Sequence, residues 1–301
     1  MTTEAVRSRT ARAPRRGGRR RGRRRYAPND PARPAVVSQV LLTLVLLLFL
    51  VPFVWMVATA LKPAAEVFGE PRLVGSSLRF DNFATAWGYV PFGRFMVNGI
   101  IVSVAGTVVT CVTSVLAAYA FARLEFRGRE FFFLLYLVTL MVPQEVMVVP
   151  MFILMQEFGW TNTYQALVLP WAFSAFGTFL LRQFFRGIPR ELEEAALVDG
   201  ANRLRVLVQV ILPIARPAVA VLAVFTFINY WNSFLWPLII TNSQQMATVP
   251  LGLNLFLGQQ GNQWHLLMAA ATISMVPTVV VVLLLQRHLV RGIAMSGLGG
   301  R

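Results

Sequence analysis

Few residues in this sequence could do chemistry, and their spacing excludes most enzyme classes. The one lysine, Lys62, is followed by proline, so the chain has no Gly-Lys-Ser/Thr phosphate-binding loop. The two histidines, His265 and His288, would lie about 35 Å apart along one helix and cannot share a metal there. Cys111 is the single cysteine, and no Gly-x-Ser-x-Gly nucleophile motif occurs. The sequence therefore predicts no enzyme, no metal site and no cofactor in this chain.

The segment 188–202 carries the most informative polar pattern. Pro189 is well placed to open a helix, and acidic residues follow in its first turns, where they complement the helix dipole. Gly200 can end that helix in a left-handed conformation, and Asn202 can cap a second helix that reaches about Ile211. We expect Leu212 and Pro213 then to turn the chain into the next apolar segment.

The predicted helical hairpin also carries apolar residues beside its acids. A hairpin that is merely solvated explains the charges, but it leaves these residues exposed: Ala195, Ala196, Val198 and Ala201. A surface that is half apolar and half acidic is typical of a protein-docking face. We therefore expect a protein partner for this hairpin.

A second group of polar residues lies inside apolar segments and could line a path for a polar solute. Glu145 stands near the middle of a predicted span, where a charge is costly unless it faces a cavity or a partner. The alternative for Glu145 is a hydrogen bond to a neighbouring helix. Asn229, Trp231 and Asn232 combine amides with an aromatic ring, which suits sugar recognition but is also typical of interfacial belts.

The composition requires a membrane to position these residues. The chain has 301 residues, of which 56% are hydrophobic and only 14% charged. Several apolar runs reach about 20 residues, the length that crosses a bilayer. The sequence predicts an all-α protein with six transmembrane helices, at about 38–61, 95–122, 131–154, 165–186, 214–240 and 266–286. Small residues at spacings of three or four in the second span predict close helix packing.

The positive charges indicate the orientation. Residues 1–34 carry twelve of the arginines against Glu4 and Asp30, which accounts for about +10 of the net charge of +15. Further arginines lie in the loops 123–130 and 187–213, while 155–164 and 241–265 have no lysine or arginine. Because cytoplasmic loops are enriched in positive charge, both termini are predicted to be cytoplasmic.

The arginine-rich segment has more than one interpretation. We expect residues 1–35 to form a disordered cytoplasmic tail that contacts anionic lipid, rather than to bind nucleic acid. A cleaved signal peptide is the alternative for the first span, although its apolar run is longer than such peptides carry.

The hairpin residues carry a specific resemblance. They resemble the EAA loop of ABC importer permeases at Glu194, Ala195, Ala196, Asp199, Gly200 and Ala201, followed by Leu212 and Pro213. The resemblance implies that the loop, about 187–213, forms coupling helices that dock on an ATP-binding subunit. It also implies that Glu194 meets a basic group there, and that ATP and Mg are bound by that partner.

Other segments are similar to the carbohydrate-uptake branch of these permeases, of the maltose permease G type; they include 59–63, 117–123 and 231–237. The resemblance covers about 36–295 and implies a type I importer permease domain there, with 296–301 as a short cytoplasmic tail. It implies a second homologous permease, ATP-binding subunits, an extracytoplasmic solute-binding protein, a sugar substrate and a bacterial cell membrane. A proton-coupled carrier that uses Glu145 remains the alternative.

Overall fold

A computed structural model describes residues 32–70, 72–258 and 263–298, and for 32–35 and 287–298 it describes the backbone alone. The predicted disordered tail, 1–35, lies outside the described residues up to 31, and its last four residues, 32–35, are the beginning of helix α1. The chain divides into two compact units, Met1–Leu50 and Val51–Arg301. All regular secondary structure in the described residues is helical, as the composition predicts.

The helices are numbered in chain order. They are α1 Ala32–Ala60, α2 Asp81–Tyr89, α3 Phe92–Arg123, α4 Arg129–Val138, α5 Gln144–Glu157, α6 Tyr164–Val168, α7 Ala175–Arg186, α8 Glu191–Val198, α9 Arg203–Val206, α10 Leu212–Trp231, α11 Leu235–Ile240, α12 Val249–Asn254 and α13 Trp264–Leu298. Short 3-10 turns lie at Ala64–Glu66, Thr139–Met141, Leu169–Trp171, Gln244–Met246 and Leu255–Leu257, and a π-helical turn lies at Leu207–Ile211.

Four of the described helical segments are long and apolar enough to cross a membrane: Val36–Ala60, Phe92–Arg123, Arg203–Trp231 and Trp264–Gln286. Two further segments are bent pairs, Arg129–Met141 with Gln144–Glu157 at 101° and Tyr164–Trp171 with Ala175–Arg186 at 49°. Counting each bent pair as one span gives the six that the sequence predicts.

The third predicted span, 131–154, is wrong as a single helix. The chain breaks at Val142, which is extended at φ −86° and ψ 116°, and Pro143 takes the N-cap position of α5. A residue before proline is disfavoured in the helical region, so this dipeptide favours a break, although the same pair at Val149 and Pro150 lies inside α5. Glu145 consequently lies in the first turn of α5 and not in the middle of a helix.

The fifth predicted span, 214–240, is also wrong at both ends. Its helix ends at Trp231, and the separate short helix α11 begins at Leu235. Pro237 lies in the first turn of α11, where its missing N–H has no intrahelical acceptor, so it produces no kink. At the other end, α10 continues without interruption from Arg203.

Helix α3 is the one against which α7 and α10 pack. Its small residues are buried, as predicted: Gly99, Ser103, Gly106, Thr110, Ser114 and Ala118. The approach is close at two points. A Cβ added at Gly106 would lie 2.5 Å from the ring of Tyr230 on α10, and one at Gly177 on α7 would lie 2.7 Å from the Ser114 hydroxyl.

Lys62 organises the segment between α1 and α2. It is only 3% exposed, and its Nζ donates to the carbonyl of Arg72 at 2.5 Å and lies 4.9 Å from the ring centroid of Trp55. Asn82 on α2 closes the segment by donating to the carbonyls of Ala60 and Lys62, at 2.7 and 2.9 Å. The amine is therefore held inside a folded loop.

Glu66 fixes the same loop from the other side. Its carboxylate accepts hydrogen bonds from the Ser76 hydroxyl and from the Ser76 backbone N–H, the latter at 2.8 Å. These bonds, with smaller contributions from Arg72 and Lys62, lower the pKa of Glu66.

At its first turns, α3 holds a second loop through Asn98, which is fully buried. The Asn98 side chain donates to the carbonyls of Gln245 and Ala247 at 2.7 and 2.9 Å, and it accepts from the Tyr164 hydroxyl at 2.7 Å. One amide thus ties α3 to α6 and to the loop that follows α11.

Replacing Gly106 with alanine tests the close packing of α3. The added methyl group has no room beside Tyr230, whose hydroxyl is held by a hydrogen bond to the Val168 carbonyl at 2.8 Å. Overpacking of this kind costs about 1–3 kcal/mol, so the melting temperature of the detergent-solubilised protein should fall. Gly88→Ala is the matched control, because nothing lies within 4 Å of its added Cβ. Equal melting temperatures for the two variants would contradict the packing argument.

Candidate functional site

The hairpin of α8 and α9 forms largely as the sequence predicts. Helix α8 begins at Glu191, two residues after Pro189, and the Arg190 carbonyl accepts from the next turn. Gly200 follows α8 in a left-handed conformation, at φ +83°. The Asn202 side chain then accepts a hydrogen bond from the Arg205 N–H at 2.8 Å and so caps α9.

The expected turn at Leu212 and Pro213 is absent. Helix α9 runs through the π-helical turn Leu207–Ile211 into α10 as one continuous helix. A proline ring clashes with the carbonyl four residues earlier, and the wider π turn relieves that clash. The buried side chains of Val206, Leu207 and Ile211 keep the helix in line. The hairpin is therefore joined to α10 without a break in the helix.

The hairpin residues of the EAA-like motif divide into two sets. Glu194, Ala195, Asp199 and Gly200 are exposed. Ala196 and Ala201 are only partly exposed, because they pack on the core formed by α3, α7 and α10. The expectation that all the hairpin alanines are exposed is therefore wrong for these two, since they attach the hairpin to its own protein.

An exposed apolar surface remains on the hairpin, and sequence reasoning identified only part of it. Val198 is 88% exposed, and Leu204 and Leu192 are 61% and 44% exposed. We call this set, with Ala195 and Glu194, the hairpin face. The exposure of Leu192 and Leu204 could have been predicted from their neighbours in the sequence. Both lie on short helices rich in charged residues, which leave few apolar partners for a leucine side chain. The hairpin face is suited to bind a complementary protein surface.

An ion pair that sequence reasoning missed anchors the hairpin. Glu193 is 5% exposed, and its carboxylate lies 2.9 Å from Nε of Arg123, the last residue of α3. Arg123 also donates to the carbonyls of Phe185 and Ile188, the latter at 2.6 Å. Glu193 therefore serves as an internal anchor, whereas its neighbour Glu194 is available to a partner.

A pocket of mixed charge opens beside this anchor, with a volume of about 570 Å³. It lies between the hairpin and the turn after α3, and three arginines and three glutamates are among its lining residues: Arg123, Arg190, Arg203, Glu125, Glu193 and Glu194. Such a lining can accept polar side chains of either sign. No cluster of three metal-ligating side chains occurs in the described ranges 32–70, 72–258 and 263–298.

The structure separates the residues predicted to line a solute path. Glu145, Asn229 and Asn232 are exposed and stay candidates. Trp231 is only 4% exposed; it stacks on Phe227 and donates from Nε1 to the Ser274 carbonyl at 3.1 Å. The structure therefore contradicts Trp231 as a substrate contact, because its ring and its N–H are both used in packing.

Residues 110–295 match the family model described as binding-protein-dependent transport system inner membrane component. The chain belongs to this family. The match includes the hairpin, its anchor Arg123, and both bent pairs, so the family region holds all the site residues described above. This transport-system component is a multi-pass protein of the plasma membrane and the permease subunit of an ABC importer.

Curated relatives agree with that assignment over most of their length. The probable ABC transporter permease protein YurM of Bacillus subtilis is 36% identical over 278 residues, covering 90% of this chain and 92% of the relative. The arabinooligosaccharides transport system permease protein AraQ of Halalkalibacterium halodurans is 32% identical, over 83% of this chain and 91% of the relative. The sn-glycerol-3-phosphate transport system permease protein UgpE of Yersinia pestis is 36% identical, over 87% and 96%.

A solved structure shares the fold. A bacterial ABC transporter involved in the import of alginate contains a chain that matches with a TM-score of 0.74 and 24% identity, over 85% of this chain and 96% of that one. This likeness concerns the fold alone. None of the comparisons supports the proton-coupled carrier.

Gly200→Ala tests the conformation on which the hairpin depends. Because an alanine in the left-handed region costs roughly 1–2 kcal/mol and no atom lies within 4 Å of the added Cβ, the loss would come from the backbone alone. Amide hydrogen exchange of residues 191–206 should become several-fold faster. Gly200→Asn is the matched control, since asparagine tolerates this region better. An unchanged amide exchange rate in Gly200→Ala would contradict the argument that the left-handed conformation at this position requires glycine.

Proposed function

We propose that this permease imports a sugar or sugar derivative and forms half of the translocation pore beside a second, homologous permease. ATP with Mg is hydrolysed on separate ATP-binding subunits, and an extracytoplasmic solute-binding protein delivers the solute. The relatives support the solute class, because their names specify arabinooligosaccharides, sn-glycerol 3-phosphate and, at 33% identity, diacetylchitobiose. No nucleic acid takes part.

The single observation that carries the coupling role is the hairpin face. It combines exposed leucine and valine side chains with the free carboxylate of Glu194, at the edge of a pocket that also holds Arg190 and Arg203. Exposed apolar area of this kind on a short surface helix is stable when a partner covers it. We infer that the ATP-binding subunit is this partner and that Glu194 meets a basic group on it.

The arginine distribution supports the orientation in which the hairpin and both termini are cytoplasmic. The turn after α3 borders the hairpin pocket and is rich in positive charge, at Arg123, Arg127 and Arg129. The segments 155–164 and 241–258 carry no lysine or arginine. Positive charge is concentrated on the cytoplasmic side of membrane proteins. The residues before α1 then form a cytoplasmic tail that contacts lipid, and the chain from α1 to about residue 295 forms the permease domain.

The continuous helix formed by α9, the π turn and α10 would carry movement of the hairpin into the membrane-spanning part of the protein. Since α9, the π turn and α10 form one helix, a displacement of the hairpin by the ATP-binding subunit moves α10 with it. The permease then alternates between inward-facing and outward-facing states whose populations ATP shifts. Exposed Asn229 and Asn232 at the far end of α10, together with Glu145, would line the path that these states open and close.

Glu194→Lys tests the coupling role. Placing a like charge against a basic group costs several kcal/mol, so binding-protein-stimulated ATP hydrolysis should fall about tenfold or more while part of the complex still assembles. The measurement is an ATPase assay on the tagged protein purified in mild detergent, with mass spectrometry of its partners. Glu157→Lys, an exposed carboxylate at the end of α5, is the control. If Glu194→Lys keeps the wild-type rate of binding-protein-stimulated ATP hydrolysis, the proposed role of this carboxylate is wrong.

Exposed Glu145 is the one observation that favours a proton-coupled carrier. The test is uptake of labelled arabino-oligosaccharide and glycerol 3-phosphate by this chain alone, in vesicles with an imposed proton gradient. We expect no uptake, because the chain forms only half of the pore. Gradient-driven uptake that is lost in Glu145→Gln would establish the carrier instead.

A further inference from the structure

Two buried arginines join α3 and α7 at their hairpin ends. Arg123 on α3 donates to the carbonyl of Phe185, in the last turn of α7. Arg182 on α7 donates from Nε to the carbonyl of Phe121, in the last turn of α3, at 3.1 Å. Both side chains are 3% exposed. The last carbonyls of a helix lack intrahelical partners, so each helix caps the end of the other. We call this reciprocal pair the arginine clamp.

Each arginine of the clamp also binds a carboxylate from a third element. Arg123 pairs with Glu193 of the hairpin helix α8 at 2.9 Å. Arg182 binds both carboxylate oxygens of Glu130 on α4, at 2.6 and 2.7 Å, and lies 3.9 Å from the ring centroid of Phe133. The clamp thus has the coupling hairpin attached on one side and the first half of a bent span on the other.

The remaining contacts of α8 with the core are apolar and partial. Ala196 and Leu197 are half-buried against the core of α3, α7 and α10. Apolar contacts are not directional, so on their own they would let α8 slide over the core. The ion pair between Glu193 and Arg123 is buried, with 2.9 Å between the carboxylate and Nε, and Arg123 is itself fixed by two backbone carbonyls. Removing one partner of such a pair would leave the other charge buried without compensation, which holds α8 at this position.

We propose that Arg123 and Glu193 are positioning residues for transport: the arginine clamp holds α3 to α7, and the Glu193 pair is the side-chain link through which hairpin movement reaches α3. This inference rests on the proposed docking of the hairpin on an ATP-binding subunit. The hairpin has separate covalent routes to α10 through the π turn and to α7 through residues 187–190, so movement of these two helices does not require the pair.

Reporters on α3 and on α10 distinguish movement that passes through the Glu193 pair from movement that passes along the continuous helix. A thiol fluorophore is placed on α3 at Val108→Cys or on α10 at Phe225→Cys, both more than half exposed, in a Cys111→Ser background. The assembled complex is then given ATP and vanadate, and the fluorescence change is recorded for each reporter. The double variant Arg123→Gln/Glu193→Gln removes the ion pair, together with the two backbone bonds of Arg123, without leaving a buried unpaired charge.

In the double variant, the fluorescence change of the α3 reporter should be smaller by a factor of about five or more. This factor is the lower end of measured allosteric couplings. The α10 reporter should keep its response, and the ATP-binding subunit should still co-purify. The matched control is Glu70→Gln/Arg72→Gln, which removes the same charges from an exposed pair with a distance of 2.6 Å and should leave both reporters unchanged.

The melting temperature distinguishes positioning from a purely structural role. Either single variant leaves a buried charge unpaired, so both should melt below the double variant. A double variant that recovers its melting temperature and also keeps the α3 response would overturn the proposal. If the double variant fails to assemble, Glu193→Gln alone decides, because it preserves the side-chain shape and both backbone bonds of Arg123. If neither reporter changes its fluorescence in the complex without the double variant, the docking of the hairpin on the ATP-binding subunit would be refuted instead.

Discussion

Close approach between α3 and its neighbours is the constraint on which the rest of the structure depends. Lipid is as apolar as a leucine side chain, so helices in a membrane associate through van der Waals contact at small residues rather than through a hydrophobic driving force. Gly106 and Gly177 allow that contact with α10 and α7. With 32 residues, α3 is roughly 48 Å long, enough to reach beyond both faces of the apolar core.

The length of α3 gives its two ends separate tasks. At one end Asn98 holds the backbone of the loop after α11, and at the other Arg123 holds the end of α7 and the hairpin. Both use side-chain donors on backbone carbonyls, and Arg123 adds the carboxylate of Glu193 for the hairpin. A single rigid helix can therefore relate the positions of loops on opposite sides of the membrane, provided that its middle stays packed.

The sequence predicts features that depend on local rules. Composition gives the membrane class, arginine placement gives an orientation, and the Gly200 and Asn202 caps of the hairpin follow from the chemistry of single residues. The small-residue spacing on α3 was equally readable, because helical periodicity places those residues on one stripe. The motif that resembles the EAA loop located the hairpin and drew attention to Glu194.

Features that depend on the surroundings of a residue could not be predicted in this way. Pro143 breaks a span, whereas Pro277, which also follows a valine, lies inside a continuous helix, so the dipeptide alone does not decide the outcome. Glu193 and Glu194 are adjacent in sequence, yet one is buried and the other exposed. Which of them turns inward depends on where Arg123 stands, and that position is set by long-range packing.

The burial of Lys62 has a consequence for how the protein can be modified. It is the only lysine in the chain, and its amine is enclosed between Trp55 and the Arg72 carbonyl. Reagents and enzymes that act on amines therefore find no accessible lysine while this loop is folded. Labelling of Lys62 would therefore report the opening of one specific loop, and acetylation of this lysine would require the same opening.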